Sequence, residues 1–386
     1  LIPIRRFVLW SVMVFSLGTL CTSQVFAQPR TFARGLPSAG SAGSNFQVLY
    51  NFPAGTDPSA GLISQNGMLY GTARNVGGLA GDVFAATTTG IVTELYHFTG
   101  APDGADPDVL TYVNGQLYGV TAIGGDTTTH DRFGCGTFFA VALTGGETKR
   151  TPFDCAVSFA PTGKLVPYHG ALFGEAAGGG ANDSGTVFVA HDDGTMKTLY
   201  SFPGYPLNEE PEFGLTEMGG VFYGIARGHQ DEIFAILPTG VAKVIYVFAP
   251  NAYQTAQTPY SRLTAVNGVL YGTTLSGGTF GKGSIFAVTP SGAERVIYSF
   301  KEQFPNAIHL TAMGGALYGQ FEGSDPPHAG AIFKVTFAGE LTIVHSFFGP
   351  DGANPEGDLV QVGRYLYGTT ISGGANNGGT LYRITP

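Results

Sequence analysis

The sequence predicts an all-β chain: a seven-bladed β-propeller with four-stranded antiparallel blades, spanning residues 46–386 and closed by an N-terminal strand that completes the last blade. Three observations predict it. A Leu-Tyr-Gly-like triplet recurs seven times, at intervals of 47 to 55 residues. A Leu precedes the aromatic of every triplet by eight residues, across a glycine turn. The seventh copy lacks its last strand, and a segment matching that strand stands ahead of the first copy.

The triplets are Leu69-Tyr70-Gly71, Leu117-Tyr118-Gly119, Leu172-Phe173-Gly174, Phe222-Tyr223-Gly224, Leu270-Tyr271-Gly272, Leu317-Tyr318-Gly319 and Leu366-Tyr367-Gly368. Their partners are Leu62, Leu110, Leu165, Leu215, Leu263, Leu310 and Leu359. Turns such as Asn66-Gly67 and Gly314-Gly315 lie between, and Asn-Gly and Gly-Gly supply the positive φ of a two-residue hairpin. Leu and Tyr therefore mark paired strands A and B. Phe84, Phe139, Phe188, Phe234, Phe286, Phe333 and Tyr382 mark strand C. Phe98, Phe153, Phe202, Phe248, Phe300 and Phe347 mark strand D, each 14 residues after its C aromatic. The last copy ends in strand C, and Val48-Leu49-Tyr50-Asn51-Phe52 supplies its D strand. Closure removes two sheet edges that an open solenoid, the alternative arrangement, would expose.

Composition agrees with many strands joined by glycine turns: 59 Gly, 12 % aromatic and only 12 % charged residues. A net charge of −9 with scattered Lys and Arg excludes the positive footprint that nucleic acid or an anionic membrane needs. Residues 1–27 read as a signal peptide: Arg5 and Arg6, an apolar run from Phe7 to Leu20, then Val25-Phe26-Ala27 before a cleavage point at Gln28. Residues 28–45 read as a flexible Gly/Ser/Pro-rich leader. No sorting motif or tail helix follows the last blade before Pro386, so the expected product is a soluble, secreted or periplasmic monomer with no membrane insertion after cleavage. Export permits a disulfide between Cys135 and Cys155, which flank a hairpin turn; two free buried thiols are the alternative.

The copies resemble the GloVer tandem repeat of "choice-of-anchor" surface proteins. Leu366-Tyr367-Gly368-Thr369-Thr370 with Ser372-Gly373-Gly374, and Leu270-Tyr271-Gly272-Thr273-Thr274 with Ser276-Gly277-Gly278, carry the resemblance. Phe173-Gly174-Glu175 and Gly224-Ile225-Ala226 depart from it. The resemblance implies an extracellular or surface β-repeat protein and brings no catalytic residues.

Length variation between copies falls only in the B–C and D–A connections, which emerge on one face of a meander; that face is the expected binding face. Its His and carboxylates make His130, Asp131, His229 and Asp231 candidate acid–base residues. Tyr205, Tyr253 and Tyr260 are candidate sugar platforms. Asp103, Asp106, Asp351 and Asn354, in two similar acidic loops, are candidate calcium ligands, with ordinary turn chemistry as the alternative. No other cofactor is expected. Three functions compete: a binding module for polysaccharide or an extracellular protein, an extracellular polysaccharide lyase or hydrolase, and a structural surface-layer repeat.

Overall fold

Each blade is built around one steric fact. The glycine of the triplet pairs across the sheet with the strand C aromatic, as Gly71 with Phe84 and Gly272 with Phe286. A Cβ at that glycine would collide with the tip of the ring. The ring is then free to meet the preceding blade. The strand D aromatic of each blade packs edge-on against the strand C aromatic of its successor, in all seven pairs from Phe98–Phe139 round to Phe52–Phe84. Centroids lie 4.9 to 6.5 Å apart. Such pairs add about 0.5–1.5 kcal/mol each beyond area burial, so the recurring aromatics hold blade to blade.

The computed structural model describes residues 45–75, 80–125, 127, 133–155, 157–204, 210–249, 255–301, 307–325 and 328–386. Among these, every regular element is a strand. They form seven antiparallel sheets, and successive sheets touch all the way round, the seventh meeting the first. The closing strand is Phe46–Asn51, which pairs with Thr380–Ile384 and completes the blade of Ala353–Val362 and Tyr365–Ser372. The A–B turns take the anticipated conformation, with φ of 52° and 76° at Asn66-Gly67. Residues 1–44, holding the expected signal peptide and most of the leader, lie outside the described residues.

Strand A is not the continuous strand that the spacing suggests. In blades 1, 2 and 5 it is two pieces, as in Ala105–Pro107 and Thr111–Val113. In blades 3, 4, 6 and 7 its pairing to strand B shifts register, as between Glu356 and Val360. The break always falls just before the repeat Leu. It matters because strand A lines the axis: residues from all seven A strands surround a central channel of about 680 Å³. Below the break, the residue after the repeat Leu is Thr in four blades. Thr111, Thr264 and Thr311 each donate to the carbonyl of the next blade's Leu at 2.5–2.7 Å, and Thr216 does the same to Leu263.

Candidate functional site

At the break the chain turns side chains toward the axis, on the side of the D–A connections. The residue immediately before the repeat Leu is Gly61, Val109, Lys164, Gly214, Arg262, His309 and Asp358 in turn. Four of the seven are ionisable. Arg262 bonds Asp358 at 2.6 Å, joining blades 5 and 7. The Arg262 backbone N–H donates to His309 Nδ1 at 3.2 Å, so the ring lies between the two partners' blades with Nδ1 unprotonated. Burial would raise the Asp358 carboxyl, but Arg262, His309 and Lys164 outweigh it and hold it near 2. Burial lowers the pKa of His309, with Asp358 opposing and Arg262 adding to the shift. Burial and the Arg262 charge depress the Lys164 amine, with the Asp358 carboxylate opposing, and the amine makes no hydrogen bond or ion pair with any described residue.

Above this charged ring the face opens into two adjoining recesses sharing Asp108, Val109, Thr162 and His309. One, of about 260 Å³, is walled by Arg74, Asp106 and Glu356. Arg74 stands 3.3 Å from Asp106 and 3.8 Å from Glu356, and bonds Ser59 at 2.8 Å. Burial moves the Glu356 carboxyl up to about 7; Arg74 opposes this, while Glu322, Asp57 and Asp108 add to it. The other recess, of about 330 Å³, is walled by Lys164, Ala177, Glu212, Phe213 and Arg262. Asp108 accepts from the Gly163 N–H at 2.6 Å and the Val109 N–H at 2.7 Å. Glu212 is paired with Arg227 at 3.0 Å.

Two features of the second recess stand out physically. Phe213 has φ of 77°, a left-handed conformation that costs a bulky residue about 1–3 kcal/mol. The equivalent positions in blades 3 and 7 are Gly163 and Gly357, at 73° and 82°. Phe213 lies edge-on to Tyr260, centroids 5.7 Å apart. The bulge carrying it is tied down from behind by Glu175, which is completely buried and accepts from the Gly214 N–H at 3.0 Å. Burial, with some help from Glu212 and against the Gly214 hydrogen bond, raises the Glu175 carboxyl well above its ordinary range.

The structure distributes the sequence candidates unevenly. Tyr260 packs edge-on behind Phe213, which borders the second recess. Asp106 lines the first recess. His229 is exposed on the blade 4 B–C loop, and Asp231 nearby accepts from the Gly228 N–H at 3.3 Å. His130, Asp131, Tyr205 and Tyr253 lie outside the described residues. Asp103 accepts from the Thr99 N–H at 2.8 Å, from Tyr96 at 2.7 Å, and from Arg150. Asp351 accepts from the Phe348 N–H at 3.0 Å and contacts His345 at 2.8 Å. Asn354 accepts from the Gly323 N–H at 3.1 Å, across the blade boundary. Among the described residues the metal-capable side chains that gather within 4.8 Å are instead Asp82, Glu94 and His97, on the outer strands of blade 1. Cys135 and Cys155 form a disulfide, Cα atoms 5.4 Å apart, at the open end of the blade 2 C–D hairpin.

Sequence reasoning missed Lys164, Arg262, His309, Asp358, Glu356, Phe213 and Glu175. A signal existed: the position before the invariant Leu changes chemistry from copy to copy while its neighbours repeat.

Among solved structures the chain is similar to a streptogramin B lyase, at 13 % identity and a TM-score of 0.60, covering 88 % of this chain and 96 % of that one. It is also similar to the Pan2 WD40 domain of Neurospora crassa, at 10 % identity and a TM-score of 0.56, covering 88 % and 95 %. At such identities the likeness is one of fold. Comparison with curated proteins gives no match. The Gloeobacter/Verrucomicrobia repeat profile matches residues 38–232 and 258–386, most of the seven-bladed ring, and the chain belongs to that repeat family.

Proposed function

We propose that this propeller is an exported binding module of the cell envelope or extracellular space that takes a segment of polysaccharide into the recess on its axis. The observation that carries the reading is the gathering of non-repeating chemistry there. Seven copies of one framework differ at the residue facing the axis, and Lys164, Arg262, His309 and Asp358 sit together as a result. Paired recesses of about 260 and 330 Å³, rich in fixed carboxylates and guanidinium groups, suit a small polar ligand or one or two sugar rings. Export is supported by the charged, apolar and small-residue segments of residues 1–27.

The test is a dye-based thermal-shift panel of envelope and plant-wall oligosaccharides, since a ligand selective for the folded state raises the melting temperature by mass action. One sugar class should shift wild type, and Ala177→Trp, which fills the second recess, should abolish the shift. A flat panel, or a shift that survives Ala177→Trp, refutes the axial site.

A second reading, cleavage of the bound polymer, is favoured by one observation. Glu356, its carboxyl pushed up to about 7 by burial, and His309, its pKa lowered by burial and its Nδ1 accepting from the Arg262 N–H, line the same cavity. Product release from a shifted oligosaccharide, lost in His309→Gln, would support it; intact oligosaccharide after prolonged incubation would exclude it.

A further inference from the structure

We propose that the ligand is an acidic sugar, a uronate-bearing oligosaccharide, with its carboxylate on Lys164 and a ring face on Phe213. This rests on the axial-recess reading above and names its ligand class.

The charge argument is one of elimination within the recess. Arg262 is occupied by Asp358, and Arg227 by Glu212. Asp108 is satisfied by two backbone N–H groups. Lys164 alone among these carries a charge with no hydrogen bond or ion pair to a described residue, and it borders both the recess and the channel beneath. The Lys164 ammonium is partly buried, and the Asp358 carboxylate that favours its charge is itself bonded to Arg262, so its partial desolvation is not offset by a hydrogen bond. An incoming carboxylate supplies a partner and adds a charge-assisted hydrogen bond.

The aromatic argument is independent of it. Where blades 3 and 7 place glycine in a left-handed conformation, blade 4 places Phe213. Glycine would hold the same turn without strain, so the phenyl ring is kept against the preference of its own backbone. The side chain borders the recess, Tyr260 supports it edge-on, and the buried Glu175 anchors the adjacent Gly214 N–H. Strain of this kind belongs where the side chain must meet a ligand. A pyranose offers an apolar C–H face for such a ring, and a uronate adds the carboxylate that Lys164 lacks.

The experiment is calorimetric titration of the purified protein with tri-galacturonate, with the neutral galactose trimer, and with inorganic phosphate. Wild type should bind the uronate at least about tenfold tighter than the neutral trimer, the worth of one hydrogen bond to a charged group. Lys164→Met should erase that preference, and Lys164→Arg should keep most of it. Phe213→Gly should weaken both sugars while leaving the melting temperature unchanged or raised. Equal affinity for the two trimers would overturn the acidic-sugar inference and leave the sugar-binding reading standing. Phosphate binding as tightly as the uronate would overturn it in favour of a bare anion site. Binding of neither sugar would remove the underlying reading as well. If Lys164→Met does not fold, the Lys164→Arg and Phe213→Gly titrations decide: Phe213→Gly with undiminished sugar affinity, or with a large loss of stability, makes Phe213 structural and overturns the platform.

Discussion

Replacing Glu356 by Gln should flatten the pH dependence of stability between pH 4.5 and 7 and stabilise the fold at pH 8. Glu356 lies on strand A of blade 7, two residues before Asp358, facing Arg74, Glu322, Asp57 and Asp108. Burial is the largest influence on its carboxyl, Arg74 opposes it, the three acids reinforce it, and the result is a rise from the usual 4.5 to about 7. The folded state therefore keeps a proton that the unfolded chain releases. The stabilisation from that proton is complete below pH 4.5, declines as pH rises, and is gone above about 7. At 1.36 kcal/mol per pH unit the full effect is about 3 kcal/mol. The side chain is 31 % exposed, and solvent screening brings the expected value to about 1–2 kcal/mol. Urea denaturation followed by circular dichroism at pH 5 and pH 8 reads this directly. Wild type should lose that amount relative to Glu356→Gln on going to pH 8. A variant less stable than wild type at pH 8 would show that the Glu356–Arg74 ion pair outweighs the desolvation, and the reasoning would fail.

Two further outcomes follow from the ring itself. Thr311→Val removes the hydroxyl that donates to the Leu359 carbonyl at 2.7 Å across the blade 6–7 boundary, at a cost of about 1 kcal/mol. For a fold of this size that lowers the melting temperature by roughly 1–2 °C; Thr311→Ser should restore it, and equal melting temperatures for all three proteins would remove the inter-blade clip from the account. The Cys135→Ser, Cys155→Ser double variant opens a cross-link between residues 20 positions apart. Chain entropy makes that worth about 3 kcal/mol, or roughly 4 °C in melting temperature. Insensitivity of wild type to a reductant in the unfolding scan would count against it.

The fold was legible because each repeated residue answers a constraint that acts identically in every blade. Gly71 and its six counterparts must leave room for a ring, and Phe98 and its counterparts must reach the next blade's ring. The closing strand was legible from arithmetic, since a blade ending at Tyr382 lacked its fourth strand and Val48 to Phe52 supplied one. The site was legible only in part. Of the residues singled out, Asp106 borders the first recess and Tyr260 touches Phe213 of the second, and Glu175 was noted as a departure from the repeat without a reason for it. The ring of Lys164, Arg262, His309 and Asp358 stayed hidden because a regular strand A alternates its side chains and gives no cue that the residue before Leu turns to the axis. The break does that, and it depends on contacts between blades: Gly61 packs so closely on Gly357 and Asp358 that a Cβ on it would stand 2.6 Å from the Asp358 nitrogen. No local propensity encodes such an approach.

This geometry explains why site and framework can be so different in chemistry within one repeat. A residue that faces the next blade is bound by symmetry, because its surroundings are another copy of itself; it converges on Leu, Tyr, Gly or Phe. A residue that faces the axis meets six others at once, and identical charges there would repel at short range. Seven lysines or seven aspartates could not share the ring. A mixed set with Arg262 set against Asp358, and with Gly61, Val109 and Gly214 contributing no charge, can. The axis therefore demands differences from the same repeat that demands sameness between blades, and it exists only when all seven blades are present. That ties the recess to the strand at Phe46–Asn51. This strand completes the blade that carries Glu356 and Asp358, and by seating Phe52 against Phe84 it joins that blade to the first. Opening that seam would cost the charged ring its Asp358 and the first recess its Glu356 before it cost any single blade its sheet.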